Sequence, residues 1–196
     1  MTVDVDLIKD LRAKTNAGIL DCRKALEETG GNLEKAGEIL RKKGLVIAAK
    51  IIGRAAKDGV ISSYIHQGSK IGVLVEINCE TDFVARTDVF KEFVKNITLQ
   101  VASSNPLYIS PDNIPPEVIE KEKEIYKEQV KGKPDNIIDK IVEGKLTKWY
   151  SEVCLLNQPF VKEPDKFTIQ ELLTSKIAEL GENIVIRRFT RYHLGE

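Results

Sequence analysis

The feature that most constrains the fold of this chain is an abrupt change of hydrophobic period at residues 81–84. Before it, residues 71–79 place an apolar side chain at every second position, which predicts a half-buried strand. After it, the apolar residues between positions 88 and 97 recur at helical spacing, which predicts a helix. The pair Asp82 and Phe83 therefore lies at a strand-to-helix corner.

Two placements are open for the Phe83 ring at this corner. In one, the ring points outward as an apolar protrusion with charged neighbours, a feature that proteins use to bind other proteins. In the other, Thr81 or Asp82 caps the following helix and Phe83 packs inward to seal the corner. The local pattern alone favours the inward placement.

The first part of the chain, residues 1–54, is predicted to be a helical domain. Apolar stripes predict helices over residues 4–14, 17–28 and 32–44, the last of them capped by Asn32 and ended by Gly44. Three short helices with tight glycine turns resemble a ubiquitin-associated (UBA-like) bundle. Residues 45–52 are apolar and predict a further helical linker.

The remaining residues, 55–196, predict a second domain that mixes strands and helices, so the fold class is α+β. Its strands form a three-stranded antiparallel sheet, packed with helices and with an antiparallel helical hairpin at about residues 117–155. The predicted strands are residues 60–66, 71–79 and 183–193, and the predicted helices are 88–102, 117–130, 136–155 and 168–180. Because such a sheet has free edges, a homodimer through the sheet is expected.

Composition excludes several classes of function. The 30 basic residues are balanced by 30 acidic ones, which disfavours nucleic acid as the main partner. Cys22, Cys79 and Cys154 are far apart, with neither a disulfide framework nor a zinc motif, as suits a reducing cytoplasm. The N-terminus lacks the apolar core of a signal peptide, and no run of apolar residues is long enough to span a membrane. The sequence has two histidines, His66 and His193, and it has no phosphate-loop motif. We therefore expect no enzyme active site, no cofactor and no metal.

Three separated blocks resemble one known family. Thr-Asp-Phe-Val at Thr81, Asp82, Phe83 and Val84 is similar to a motif of elongation factor Ts, the nucleotide exchange factor for the GTPase elongation factor Tu. Residues 15–26 resemble the family's first helical block, and residues 132–146 and 158–162 resemble its second half. The resemblance covers nearly the whole chain in order.

The resemblance implies a function and a set of contact residues. A member binds GDP-bound and nucleotide-free elongation factor Tu and promotes exchange of GDP for GTP. The motif of Thr81, Asp82, Phe83 and Val84 enters the GTPase beside its magnesium and phosphate site and dislodges the metal. This role requires Phe83 to point outward, so the resemblance reverses the preference that the local pattern gave.

In the first domain, the resemblance implies that four residues face a helix of the GTPase: Arg12, Ile19, Leu20 and Arg23. The chain departs from the family here, with Asn16 in place of Gly, Ile19 and Leu20 in place of Met-Met, and Arg23 in place of Lys. Each of the last three keeps the apolar or basic character of the family residue. One of Ile19 and Leu20 is expected to pack inside the bundle.

Longer family members continue beyond the point that corresponds to Glu196, into a C-terminal helical module. We expect its contacts to be absent or replaced by a second protomer, because short members are associated with dimers. Two alternatives stay open. The UBA-like bundle is also typical of protein-interaction adaptors, and the basic, aromatic stretch at residues 187–192 is typical of a ribosome-associated RNA binder.

Overall fold

The computed structural model describes residues 3–15, 17–132 and 134–196. The predicted departure at Asn16 and the part of the predicted helix break that falls on Lys133 lie outside these residues. Within the described ranges the chain forms eight α-helices and three strands, and the predicted α+β class is confirmed. In chain order the elements are α1 Val5–Thr15, α2 Ile19–Glu28, α3 Leu33–Ile51, β1 Asp58–Ile65, β2 Ile71–Cys79, α4 Asp82–Ala85, α5 Asp88–Ser104, α6 Pro116–Gln129, α7 Asp135–Val153, α8 Ile169–Leu180 and β3 Val185–His193.

The chain divides into two compact units, and each unit combines three separate segments of the sequence. The first unit contains the residues up to Gly59, together with Asn78–Phe90 and Leu173–Val185. The second unit contains Val60–Ile77, Lys91–Leu172 and Ile186–Glu196. The first unit therefore holds both the N-terminal helices and the corner that carries Asp82 and Phe83.

Helices α1 to α3 form a bundle around a small apolar core. The Asn32 side chain accepts a hydrogen bond of 3.0 Å from the Lys35 N–H, so it caps α3 as predicted. The buried core side chains come from all three helices: Leu11, Cys22, Ala25, Leu26, Ala36 and Leu40. The spacing of three and four residues within α2 is what places its members on one face.

The prediction that the third helix ends at Gly44 is wrong, because α3 runs through Gly44 to Ile51. The helix continues because the residues beyond the glycine bury apolar side chains, Ala48 completely and Ile51 nearly so. A Cβ placed on Gly44 would lie 3.5 Å from the Cβ of Ala178 in α8, an ordinary van der Waals distance. The energy of this packing outweighs the modest cost of one glycine inside a helix.

The three strands pair in the order β1-β2-β3. In β2 the residues of one parity, Val73, Val75, Ile77 and Cys79, are buried, whereas Leu74 on the other face is 50% exposed. The predicted alternation of this strand is therefore confirmed. Strands β1 and β3 are the two edges of the sheet.

Within the second unit, α6 and α7 form the predicted helical hairpin. Val130, Val142 and Leu146 are buried between them, and the half-buried Trp149 packs against this cluster. The segment at residues 158–162 is held by buried amides, since Gln100 donates to the Gln158 side chain at 3.1 Å. Among the described residues, no helix is both long and apolar enough to cross a membrane.

Candidate functional site

The corner between β2 and α5 is occupied by α4, a helix of a single turn. Thr81 is its N-cap, and the Thr81 hydroxyl accepts a hydrogen bond from the Val84 N–H at 3.4 Å. Thr87 joins α4 to α5, because its hydroxyl donates to the Val84 carbonyl at 2.8 Å and accepts from the Phe90 N–H at 3.2 Å. Two threonine caps therefore fix both ends of this turn.

The Phe83 side chain points outward from this turn. Phe83 is 78% exposed, the highest value among the exposed large hydrophobic residues of the described chain. Of the two placements open from the sequence, the structure has the outward one, with Thr81 as the cap. An exposed ring on a capped turn is an apolar contact point that is available to a second molecule.

The turn is fastened to the loop after α8 by two carboxylates. Glu182 Oε2 accepts hydrogen bonds from the Glu80 N–H at 3.1 Å and the Thr81 N–H at 3.0 Å, and Glu182 Oε1 accepts from the Thr81 hydroxyl at 2.6 Å. In return, Glu80 Oε1 accepts from the Asn183 N–H at 2.7 Å. We call these four residues, Glu80, Thr81, Glu182 and Asn183, the carboxylate clasp.

The Cys79 thiol lies beneath the same turn. It is fully buried and donates a hydrogen bond of 3.1 Å to the Thr81 carbonyl. Burial, and after it the negative charges of Glu182 and Asp58, together raise the pKa of Cys79 to about 11. The thiol therefore stays protonated at neutral pH and acts as a structural donor, not as a nucleophile.

Asp82 is paired within its own turn. Its Oδ2 lies 2.7 Å from Nη2 of Arg86, four residues on. Both side chains are well exposed, so the pair is weak, on the order of 0–1 kcal/mol. The sequence reasoning missed Arg86, although a spacing of four between an acid and a base on a helix is a recognisable signal.

The four N-terminal contact residues predicted by resemblance are all on the surface of the bundle. Arg12 lies on α1, and Arg23 on α2 is exposed with its Nε 3.0 Å from Glu27 Oε1. The expectation that one of Ile19 and Leu20 packs inside is wrong, since they are 55% and 69% exposed. The reason is that Cys22, Ala25 and Leu26 already fill the face of α2 that meets the core.

The described residues bring no three His, Cys, Asp or Glu side chains together in an arrangement that could hold a metal ion. The site consists instead of an exposed aromatic ring on a turn that is fixed by its caps, with an acidic residue beside the ring. The exposed apolar pair Ile19 and Leu20 belongs to the same compact unit as this turn. These features are suited to binding a protein partner.

Comparison with known proteins points to one family. Residues 46–196 match the family described as Elongation factor TS. The chain is 57% identical to elongation factor Ts of Carboxydothermus hydrogenoformans over 192 residues, which covers 97% of this chain and 88% of that protein. It is 56% identical to the proteins of the same name from Thermodesulfovibrio yellowstonii and Thermotoga petrophila, over 197 and 196 residues, and each match covers 100% of this chain and 98% of the relative.

Proposed function

This chain belongs to the elongation factor Ts family of translation elongation factors, and we propose that it binds elongation factor Tu and accelerates the exchange of GDP for GTP. It would act in the cytoplasm, on the GDP-bound and the nucleotide-free GTPase, without chemistry of its own. The observation that carries the proposal is the outward Phe83 ring, 78% exposed on a turn that is capped at both ends.

The mechanism follows from the demands of the magnesium ion in the partner's nucleotide site. This ion requires near-ideal octahedral geometry, so small displacements of its ligands weaken its binding. Insertion of the Phe83 ring beside the metal would displace those ligands. Val84 and the capping Thr81 hold the ring in position. Once the exposed pair between Asp82 and Arg86 opens, the negative charge of Asp82 competes for the hydrogen-bond donors around the metal.

The magnitudes show that the ring does not act alone. Burial of one Phe side chain contributes about 1.5–3 kcal/mol. A nucleotide held with nanomolar affinity is bound by about 12 kcal/mol. The difference has to come from a broader contact surface, and the exposed Arg12, Ile19, Leu20 and Arg23 of the bundle would supply part of it.

The coupling between the factor and the nucleotide is reciprocal. If the factor weakens nucleotide binding, the incoming nucleotide weakens binding of the factor by the same amount. The factor is therefore released when GTP enters, which makes it a catalyst of exchange and not an inhibitor. The test is to load elongation factor Tu with a fluorescent GDP, add excess unlabelled nucleotide, and follow the loss of fluorescence with and without this protein. A large acceleration is expected, and no acceleration at a saturating concentration would refute the proposal.

We also propose that two copies of the chain associate through the sheet of the second unit. One face of that sheet carries exposed apolar side chains from every strand: Ile61, Ile65, Leu74 and Tyr192. They share a face because Ile65 lies over Gly72 of β2, and Arg188 of β3 pairs with Glu76 of β2 at 2.6 Å. An apolar face of this kind beside two free strand edges favours self-association.

The oligomer is tested by light scattering during gel filtration. The expected mass is twice the 22.0 kDa of one chain. Leu74→Glu should reduce the mass to that of one chain, because it would place a charge at the centre of the face that the dimer buries. Leu107→Glu is the matched control, since Leu107 is equally an exposed apolar residue of the second unit but lies outside the sheet. A monomeric wild-type protein at micromolar concentration would contradict the proposal.

The RNA-binding alternative loses support from two of the three arginines in residues 187–192 that suggested it. Arg188 is engaged with Glu76, and the Arg191 side chain is 11% exposed, with its Nε donating to the Ala102 carbonyl at 3.3 Å. A basic stripe for phosphates needs free cationic side chains. A steep dependence of RNA affinity on salt concentration would restore this alternative.

A further inference from the structure

We infer that Glu182, in the loop between α8 and β3, is a positioning residue for the Phe83 turn, and this inference rests on the proposed exchange function. Glu182 does not belong to the motif that carries Phe83, and it follows that motif by about one hundred residues. Its carboxylate nevertheless makes three of the hydrogen bonds that hold the start of α4: two from backbone N–H groups and one from the Thr81 hydroxyl.

The Thr81 hydroxyl explains why this contact controls the turn. A hydroxyl has one proton and two lone pairs. Because Thr81 donates its proton to Glu182 Oε1 at 2.6 Å, its lone pairs are left to accept from the Val84 N–H, which is the capping bond of α4. Glu182 therefore fixes the rotamer of Thr81 and, through it, the helical turn on which Phe83 stands.

A helix of one turn has little stability of its own, because nucleation fixes several residues for one hydrogen bond. The position of Phe83 consequently depends on the groups that anchor residues 80 and 81. The remaining contacts of the clasp reinforce that anchor. Glu80 Oε1 accepts from the Asn183 N–H at 2.7 Å, and the Asn183 side chain donates to the Arg54 carbonyl at 2.7 Å.

Gly181 brings Glu182 to this place. It ends α8 with its N–H bonded to the Ile177 carbonyl at 2.9 Å, and its φ of +72° lies in the left-handed region. Glycine adopts this conformation without the penalty of a side chain, and it commonly ends helices for that reason. The chain can therefore leave the helix sharply and present the next side chain, Glu182, to the turn.

The test compares two substitutions at Glu182. Glu182→Ala removes all three acceptor contacts, so the turn loses its anchor. Glu182→Gln has the same length, and its carbonyl can accept from the Glu80 and Thr81 N–H groups while its amide donates to the Thr81 oxygen. The conservative variant should therefore rescue the function. Glu171→Ala is the matched control, because Glu171 Oε2 accepts from the Thr168 N–H at 3.0 Å in a similar cap far from the Phe83 turn in sequence.

Two measurements are made on each variant. The first is nucleotide exchange as a function of factor concentration, which separates the maximal rate from the concentration at half-maximal rate. Glu182→Ala should lower the maximal rate about tenfold, which corresponds to about 1.4 kcal/mol, and move the half-maximal concentration by less than about threefold. A variant that was merely partly unfolded would keep the maximal rate, but it would raise the concentration of the factor at which half of that rate is reached.

The second measurement is hydrogen exchange of the Glu80 and Thr81 amides in the free factor, which does not involve the GTPase. Glu182→Ala should lose at least about tenfold in protection at these two amides. Glu182→Gln and Glu171→Ala should each stay within about threefold of wild type in both measurements.

The outcomes separate this inference from the proposed function. If the wild-type protein does not accelerate GDP release, the proposed function fails, and the amide protection still tests the anchoring of the turn. If Phe83→Ala slows exchange but Glu182→Ala does not, the function stands and the positioning role is wrong. Equal losses in Glu182→Ala and Glu171→Ala would also overturn it, because they would indicate a general loss of stability.

Discussion

Replacement of Phe83 by alanine is the perturbation that most directly tests the proposed mechanism. Full burial of a Phe side chain is worth about 1.5–3 kcal/mol. Because Phe83 is 78% exposed in the free protein, the part of this energy still available on binding is about 1.2–2.3 kcal/mol. If the ring is buried when the metal is displaced, Phe83→Ala should slow nucleotide exchange by roughly 8- to 50-fold, at about 1.36 kcal/mol for each factor of ten.

The same substitution should leave the fold almost unchanged. An exposed side chain that itself makes no capping bond and no buried contact contributes within about 0.5 kcal/mol to stability. The free energy of unfolding in urea should therefore match wild type for Phe83→Ala. Leu107→Ala is the control, since Leu107 is an apolar residue that is 63% exposed elsewhere on the surface, and it should change neither the exchange rate nor the stability.

Two results would refute this reasoning. Exchange at the wild-type rate by Phe83→Ala would show that the ring is not the displacing group. A loss of about 2 kcal/mol or more in the free energy of unfolding would show that the ring supports its own fold. Asp82→Ala is expected to slow exchange less than Phe83→Ala, because the Asp82 carboxylate is already paired with Arg86 at 2.7 Å and only its residual charge is available.

Two further predictions concern stability. Gly44→Ala should raise the free energy of unfolding by about 0.5–1 kcal/mol, measured in urea, because alanine favours the helix and its Cβ would meet Ala178 at 3.5 Å without a clash. The pKa values of the buried Cys79 and Cys154 are raised from 9.0 to about 11, so their protonated forms are favoured in the folded state. Their contribution to stability, at most about 2–3 kcal/mol per thiol, is therefore complete below pH 9 and lost as the pH rises towards 11. A denaturation series from pH 8 to 11 would show this fall, which should be smaller in Cys154→Ala.

Local hydrophobic period was enough to predict most of the secondary structure. The alternation in residues 71–79 corresponds to β2, and the change of period places α5 directly after the corner. These predictions succeed because apolar side chains that repeat every two residues share one face in a strand, and those that repeat every 3.6 residues share one face in a helix. The prediction that failed is the helix end at Gly44, which rested on the glycine and not on the period, because packing of residues farther along α3 outweighs one local helix breaker.

The contacts that hold the site were harder to predict, for a physical reason. The Thr81 cap and the Asp82 to Arg86 pair are local, and their spacing can be read from the sequence. Glu182 lies 101 residues after Thr81, and one glutamate after a helix-ending glycine carries no sign of which turn it will meet. The apolar pattern of α2 likewise does not place both Ile19 and Leu20 outside, because their exposure depends on how completely the rest of α2 fills the core.

The energetic scale of the turn explains why such a distant anchor is needed. Fixing the backbone of one residue costs about 1–2 kcal/mol, so ordering the four residues of α4 on binding would cost about 4–8 kcal/mol. That exceeds the 1.2–2.3 kcal/mol or so that the Phe83 ring can contribute. A loose turn would therefore gain nothing from its aromatic ring. The proposed displacement of a metal therefore requires a turn that is already ordered in the free protein, and the bonds from Glu182 and Thr87 meet that requirement.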